Sequence, residues 1–289
     1  MDYNIQKYIA FVQTAESGSF TKAAAQLSYA QSSVSKMVQD LEREWKLPLL
    51  ERTHSGVRLT SSGRELLPYA QALIADHRRL LSHVGELNGL QTGSIRIATF
   101  ASVAIHWLPE LFAKFQRDYP GIEYEMLLGD YDEIEAWLRS GRVDIGFLSL
   151  PAPSGLDAVF LQNDAYLVVF PEGHPFAQET AIDIHALEGQ SFLLLEHGGR
   201  TEVTRLLETH RVHPDIRFTT WEDFAIMSMV EKGLGVSILP EIILQRIPYR
   251  ILSRPLKQPF YRKIGLALKD RDTLSPAARK FLTYLPIPE

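Results

Sequence analysis

"SFTKAAAQLSYAQSSVSKMVQDLE", residues 19–42, sets a short alanine-rich segment against a longer one whose outward positions carry Ser, Lys and Gln. A solvated helix face is ordinarily covered with Glu and Lys. This one begins with small hydroxyls and amides, side chains suited to close contact with a partner. With Val34 at the centre of a buried stripe and about 100° per residue, Val38, Leu41 and Trp45 fall beside it. Ser32, Lys36, Gln39 and Arg43 fall on the opposite face, and Ser33 and Ser35 on its flanks.

The flanking sequence gives that helix a setting. Ile5, Tyr8, Ile9 and Val12 follow helical spacing, and Gly18 ends this first helix. Ser19 is a plausible N-cap for a second, short helix through Leu27. The brief connection Ser28 to Ala30 leads into the third helix, Gln31 to Trp45, so the two must cross steeply, as in a helix-turn-helix. "LPLLERT" and "GVRLT" follow as extended runs around His54-Ser55-Gly56, a small hairpin or wing. A helix entering the major groove needs small residues where it approaches closely and amides and Lys for base edges. It also needs basic residues for phosphate. A merely solvated polar face is the competing explanation, and the short helix, tight turn and wing around it favour the groove.

Bulk composition bounds the rest. The 289 residues exceed one usual domain, and 45% hydrophobic with 22% charged residues is the profile of a globular chain. There is no cysteine, which excludes disulfides, thiolate metal sites and a cysteine nucleophile and fits a reducing compartment. Met1 to Lys7 lack a signal-peptide pattern, and no apolar stretch approaches the roughly 20 residues of a spanning helix. A cytoplasmic protein with no membrane partner is expected. The net charge of −5 argues weakly against nucleic acid. Through Ser62, however, Lys7, Lys22, Lys36, Arg43, Lys46, Arg52 and Arg58 slightly outnumber Asp2, Glu16, Asp40, Glu42, Glu44 and Glu51.

Ser61 and Ser62 offer caps for a long helix reaching about Leu87. Leu66, Ala70, Leu73, His77, Leu80, Val84 and Leu87 alternate spacings of four and three, a heptad seam suited to pairing with another copy. Pro68 falls in its first turns, and "NGLQTG" (88–93) reads as a boundary. From Ser94 strands alternate with helices. "SIRIATF", "IEYEMLL", "VDIGFL", "AYLVVF", "SFLLLE", "IRFTT", "GVSILP" and "KIGLALK" are the strands. Ala104 to Tyr119, Tyr131 to Ser140, Thr201 to Arg211, Glu222 to Lys232 and Pro276 to Leu285 are the helices. Such alternation predicts largely parallel sheets in two lobes divided near Asn163, with a cleft between them. The expected fold is therefore α/β with an N-terminal winged helix-turn-helix, a long linker helix and a two-lobed unit. The expected bounds are 1–60 for the head, 61–88 for the linker and 94–289 for the lobes. Lobe I takes about 94–163 with 264–289, and lobe II about 164–263.

"GSFTKAAAQL", "AQSSVSKMVQDLE", "LPLLERT" and "VRLTSSG" resemble the winged helix-turn-helix of LysR-type transcriptional regulators. "GSIRIATF", "LPELFAKFQRDYPGIEYE", "LRSGRVDIGF", "VVFPEGHPFA" and "VEKGLGVSILP" resemble that family's periplasmic-binding-protein-like effector domain in order and spacing, so the likeness covers the whole chain. It implies that Gln31, Ser32, Ser33, Ser35 and Lys36 face the major groove. It also implies that Thr21 and Lys22 meet backbone and that Arg52 and Thr53 of the wing lie at the minor groove. Gln39 and Arg58 complete the expected DNA-binding set. Three positions depart from the family pattern. Ser32 replaces a usual proline, Lys46 a usual helix-ending glycine and Leu50 a common phenylalanine. Homodimers follow from the seam, and homotetramers and an interrupted palindromic operator from the resemblance alone.

In a two-lobed α/β unit ligands sit at strand C-termini, where helix N-termini point free N–H groups into the cleft. Thr99, Phe100, Ala101 and Ser102 form such a junction, and the resemblance makes Ser102 and its neighbours the first-lobe contact. Leu128, Gly129 and Ser149 lie at other strand ends. His197 and Arg200 of "EHGGRTE", with Thr219 and Thr220, come from the second lobe. Arg200 and the convergent hydroxyls predict a small anionic metabolite as effector. "GLGVS" lacks a dinucleotide fingerprint, and His210 and His213 lack further ligands for zinc. No catalytic, metal or cofactor constellation is expected, so the chain reads as a regulator rather than an enzyme. A solute-binding protein and an α/β enzyme using the same cleft are the alternatives.

Overall fold

The computed structural model describes residues 4–53, 56–87, 92–196, 201–271 and 274–285. The expected wing turn at His54-Ser55, most of the 88–93 boundary, and His197 and Arg200 lie outside them.

The head is three helices and a hairpin. Helix α1 (Ile5–Ser17) is capped by Asn4 and ends at Gly18, which is left-handed at φ 62°. Helix α2 (Phe20–Leu27) is capped by Ser19 and ends at Ser28, also left-handed. Helix α3 (Gln31–Trp45) ends on left-handed Lys46 at φ 56°, so the chain accepts a nonglycine residue there instead of extending the helix. Ala10, Phe11, Ala23, Ala24, Val34, Val38 and Leu41 make the core, with Trp45 packed at its margin. Strands β1 (Leu50–Thr53) and β2 (Gly56–Leu59) pair antiparallel as the wing. The wing is pinned to the end of α1, where Val57 N donates to Gly18 O at 2.9 Å. A Cβ on Gly56 would lie 2.7 Å from that same carbonyl, so this contact requires glycine.

Helix α4 (Ser61–Leu87) is the linker, with Pro68 inside it. Its start corrects the expected caps: Thr60 Oγ1, not Ser61 or Ser62, accepts from Gly63 N at 2.9 Å. The seam is also divided. Ala70 and Ile74 are buried in the head core and Leu66 packs against it. Leu73, Leu80 and Val84 are exposed, together with Tyr69 and Leu81.

Beyond the linker lie β3 (Gly93–Thr99), α5 (Ala101–His106), α6 (Leu108–Asp118), β4 (Ile122–Leu128), α7 (Tyr131–Ser140) and β5 (Ile145–Ser149). They continue through β6 (Asp157–Pro171), β7 (Ser191–Leu195), α8 (Glu202–His210), β8 (Asp215–Thr220), α9 (Asp223–Glu231) and β9 (Ser237–Pro240). The last are β10 (Ile251–Pro255), β11 (Tyr261–Leu268) and α10 (Pro276–Leu282). The single helix expected at Ala104 to Tyr119 is two helices broken at Trp107. Pro109 at the start of α6 supplies no N–H for a ladder continuing from α5.

The expectation of largely parallel sheets needs correction. In the seven-stranded sheet β3 pairs parallel with β4 and β5, but β11 runs antiparallel to β5 and β6. Beyond it β6 pairs antiparallel with β10 and β9. The reason is one 15-residue strand, β6, which begins well before the "AYLVVF" run that marks it in the sequence. Residues from Asp157 to Ala165 pair with β11, and those from Tyr166 to Pro171 pair with β9 and β10. The strand thus passes from one hydrophobic core, containing Ile95, Phe115 and Phe147, to another containing Val168, Phe170 and Phe192. Two lobes joined by such crossing strands leave a cleft between them.

Candidate DNA interface and effector cleft

On α3 the residues sort cleanly. Gln31, Ser32, Lys36 and Gln39 are exposed and Ser33 is half-buried. Gln31, Ser32 and Lys36 make no side-chain hydrogen bond or ion pair with the described residues, so their polar ends are free for a partner. Ser35 is placed differently from the resemblance's implication: it is 7% exposed. Its Oγ accepts from Arg52 Nη2 at 3.1 Å and from Gln39 Nε2 at 3.4 Å. Ser35 is therefore spent on positioning the wing arginine. Arg52 is held a second way, with its guanidinium 5.0 Å from the centroid of the Phe20 ring. Arg58 faces outward opposite Glu51 on the wing, and Thr53 Oγ1 donates to Gly56 O at 3.2 Å. Thr21 and Lys22 stand exposed on the first turn of α2. Lys7, counted among the basic residues, is buried against Glu44 at 2.5 Å and is unavailable to phosphate.

Between the lobes lies a cavity of about 1190 Å³, with Tyr131, Ser149, Phe160, Arg205, Tyr261 and Arg262 among its lining. No sequence motif marks its polar centre. Arg262 of β11 faces Asp164 of β6 in register, and its Nε and Nη2 donate to Asp164 Oδ2 at 2.8 and 2.6 Å. Asp164 Oδ1 accepts from Ile242 N. The same guanidinium donates to Ser102 Oγ at 2.6 Å and to Tyr131 Oη at 3.4 Å, and lies 4.7 Å from the centroid of Phe100. Burial alone would weaken that charge, but Tyr131, Tyr166 and Asp164 hold the Arg262 pKa above its ordinary value. Burial raises Tyr131 and Tyr166 in turn, so both phenols stay protonated. Half-buried Asp223, at the start of α9, is pushed up from 3.8 to about 6 by burial, against the pull of Arg262.

The predicted effector residues divide accordingly. Ser102 is buried and already bonded to Arg262, while Thr99 is fully buried beneath it, its Oγ1 turned to Phe100 O at 3.4 Å. Phe100 and Ala101 form the α5 start. Ser149 lines the cavity. Leu128 is 58% exposed at the end of β4, and Gly129 sits against Trp137 and Glu133. Thr220 Oγ1 accepts from Glu222 N at 3.3 Å, a local turn that leads into α9, and Thr219 precedes it on β8. Arg262, Asp164 and Tyr131 were missed. Their strand and helix gave no motif, and only the pairing of β6 with β11 brings them to Ser102.

A winged-helix head with an open recognition face, a long linker and a two-lobed module around a cleft define the class: a DNA-binding regulator with an effector-binding domain. Residues 5–64 match the bacterial regulatory helix-turn-helix protein, lysR family, and residues 88–286 match the LysR substrate binding domain. A probable HTH-type transcriptional regulator, LrrA of Synechococcus elongatus, is 34% identical, covering 98% of this chain and 96% of its own. Among solved structures, a full-length OxyR variant from Pseudomonas aeruginosa superposes with a TM-score of 0.72 at 23% identity. That match covers 98% of this chain and 94% of that one. Full-length CbnR complexed with its target DNA gives 0.69 at 19% identity, covering 98% of each. This chain belongs to the LysR family of transcriptional regulators.

Proposed function

We propose that the protein is a cytoplasmic regulator whose operator binding is governed by a small anionic effector held between its lobes. The observation that carries the DNA half is the exposed face of Gln31, Ser32 and Lys36, unpaired among the described residues, beside a wing arginine fixed from two sides. In this reading α3 enters the major groove with Gln31, Ser32, Ser33, Lys36 and Gln39. Thr21, Lys22, Arg52, Thr53 and Arg58 meet backbone or the minor groove. Ser35 acts through Arg52. The exposed half of the linker seam, Leu73, Leu80 and Val84, pairs subunits into dimers or tetramers on an interrupted palindrome. The head takes 1–60, the linker 61–88 and the effector domain 94–289.

The effector occupies the cavity between Ser149, Arg205 and Arg262, whose two guanidinium groups supply the positive charge that an anion requires. Binding favours one lobe arrangement, alters how the linker pairs are spread, and so changes the fit of the heads to half-sites. The cleft performs no reaction.

The test is full-length protein on DNA footprinted from its genome, with random-sequence duplex as the reference. Lys36→Ala should lose about ten- to hundredfold on the recovered site and less than about threefold on random sequence. Equal losses make Lys36 a phosphate contact. No preference over random duplex in moderate salt overturns the regulator reading.

A further inference from the structure

We propose that α7 is a strut that ties the effector cleft to the DNA-binding head of the same subunit. The inference rests on reading the cleft as the effector site. Its first observation is at the N-terminal end of α7. Tyr131 is the helix's first residue and lines the cavity. Its hydroxyl accepts from Arg262, and its ring meets Phe100 edge-on at 5.4 Å. A capping box between Asp130 and Glu133 fixes this end of the helix.

The other end touches the linker and the head. Gly141 terminates α7 at φ 71°, and a Cβ on it would lie 2.8 Å from the Ala75 Cβ of α4, so the turn sits directly on the linker. From the sheet side Arg96 holds the same turn, donating to Gly141 O at 3.0 Å while paired with Asp144 at 2.6 Å. The next residue, Arg142, donates to Glu16 Oε2 of α1 at 2.5 Å, and Gln71 of α4 donates to Glu16 Oε1 at 3.2 Å. One carboxylate on the head is thus gripped by the linker and the lobe together. A gap of about 500 Å³ opens beside this pair, lined by Gln13, Ser17, Gln26, Trp137 and Ser140. Head and lobe meet here at a point that leaves the head room to tilt.

Between its ends α7 buries Ile134 and Leu138 in the lobe core, and ten residues span about 15 Å. A packed helix of this length moves as a unit, sliding or tilting rather than bending. An effector that displaces Tyr131 from Arg262 therefore shifts the turn that carries Arg142. The head then follows through Glu16.

Amide hydrogen exchange of full-length protein tests this without DNA or effector, so its outcome is separable from that of the regulator reading. Arg142→Glu should quicken exchange in Ile5–Ser17 about two- to fivefold, and Glu16→Arg combined with Arg142→Glu should restore it. Tyr131→Phe should quicken α1 exchange in the natural background and leave it unchanged when Arg142→Glu is already present. An unchanged α1 in Arg142→Glu overturns the proposal. So does a Tyr131→Phe effect that is absent, or equal in the two backgrounds.

Discussion

The outer face of α3 and the floor of the cleft are both polar, yet they are built in opposite ways. Gln31, Ser32 and Lys36 are exposed and their side chains bond to none of the described residues, whereas Arg262 bonds to Ser102, Asp164 and Tyr131. A groove-reading face must keep its donors and acceptors open, because DNA supplies the partners. A cleft that stands empty between ligands must satisfy its own buried charge, because an unpaired one would cost several kcal/mol. The consequence is functional. On the proposed reading the head binds as it stands, whereas an effector bonding to Ser102 would compete with an internal guanidinium carried by the strands that join the lobes.

The strongest way to break this contrast is to unpair the cleft. Arg262→Met leaves Asp164 charged and almost fully buried. It should cost about 3–5 kcal/mol in denaturant unfolding of the effector domain. Pairing it with Asp164→Leu should recover most of that loss, because two apolar side chains leave no orphan charge. A single substitution costing less than about 1 kcal/mol would mean that Asp164 is not sealed from water, and the self-satisfied cleft would be wrong. The corresponding change on the head, Ser32→Ala, removes an exposed hydroxyl and should leave stability within about 0.5 kcal/mol.

The same contrast explains what the sequence disclosed. Head residues met their partners over short separations, so helical period, caps and the Ser28–Ala30 turn were enough to place α3 and its open face. Even there Ser35 escaped, because its partner Arg52 lies on the wing and the flank position alone did not say which way it turned. In the cleft, Ser102 and Arg262 are 160 residues apart, and their meeting depends on β11 lying between β5 and β6. No periodicity announces that. The first half of β6 is illegible in the sequence for a related reason. "DAVFLQND" ends on Asp164, a buried carboxylate that is satisfied by Arg262 and Ile242 N only once β6 lies beside β11.

Asp223 sharpens the comparison with a titration. Burial raises its carboxyl to about 6, above the ordinary 3.8, so the folded protein holds this proton more tightly than the unfolded chain does. Its stabilising share is therefore complete below about pH 4 and is lost as pH rises through 6. At pH 7.5 the ionised group is a net cost. Asp223→Asn removes it, while giving up some attraction between a carboxylate and the α9 N-terminus. The variant should gain about 1–2 kcal/mol at pH 7.5, with the difference vanishing near pH 4. A gain independent of pH would show that packing, rather than charge, sets it.

A smaller gain is expected at the end of α3. Lys46 is left-handed at φ 56°, where a Cβ crowds the neighbouring carbonyl and glycine does not. Its backbone N–H still closes the helix by donating to Glu42 O, and Glu42 Oε1 in turn accepts from Leu49 N and Leu50 N at 2.7 and 3.0 Å. That clamp fixes the entry to the wing, so the strain at Lys46 is borne by a rigid junction and does not loosen α3. Lys46→Gly relieves the strain but adds freedom to the unfolded chain, and the two terms partly cancel. A gain of about 0.5 kcal/mol in the head's unfolding transition is expected, with DNA affinity unchanged because the open face is set by Val34, Val38 and Leu41 beneath it. A change in DNA affinity larger than the change in stability would mean that the helix end steers docking, and the face is then less rigid than its packing implies.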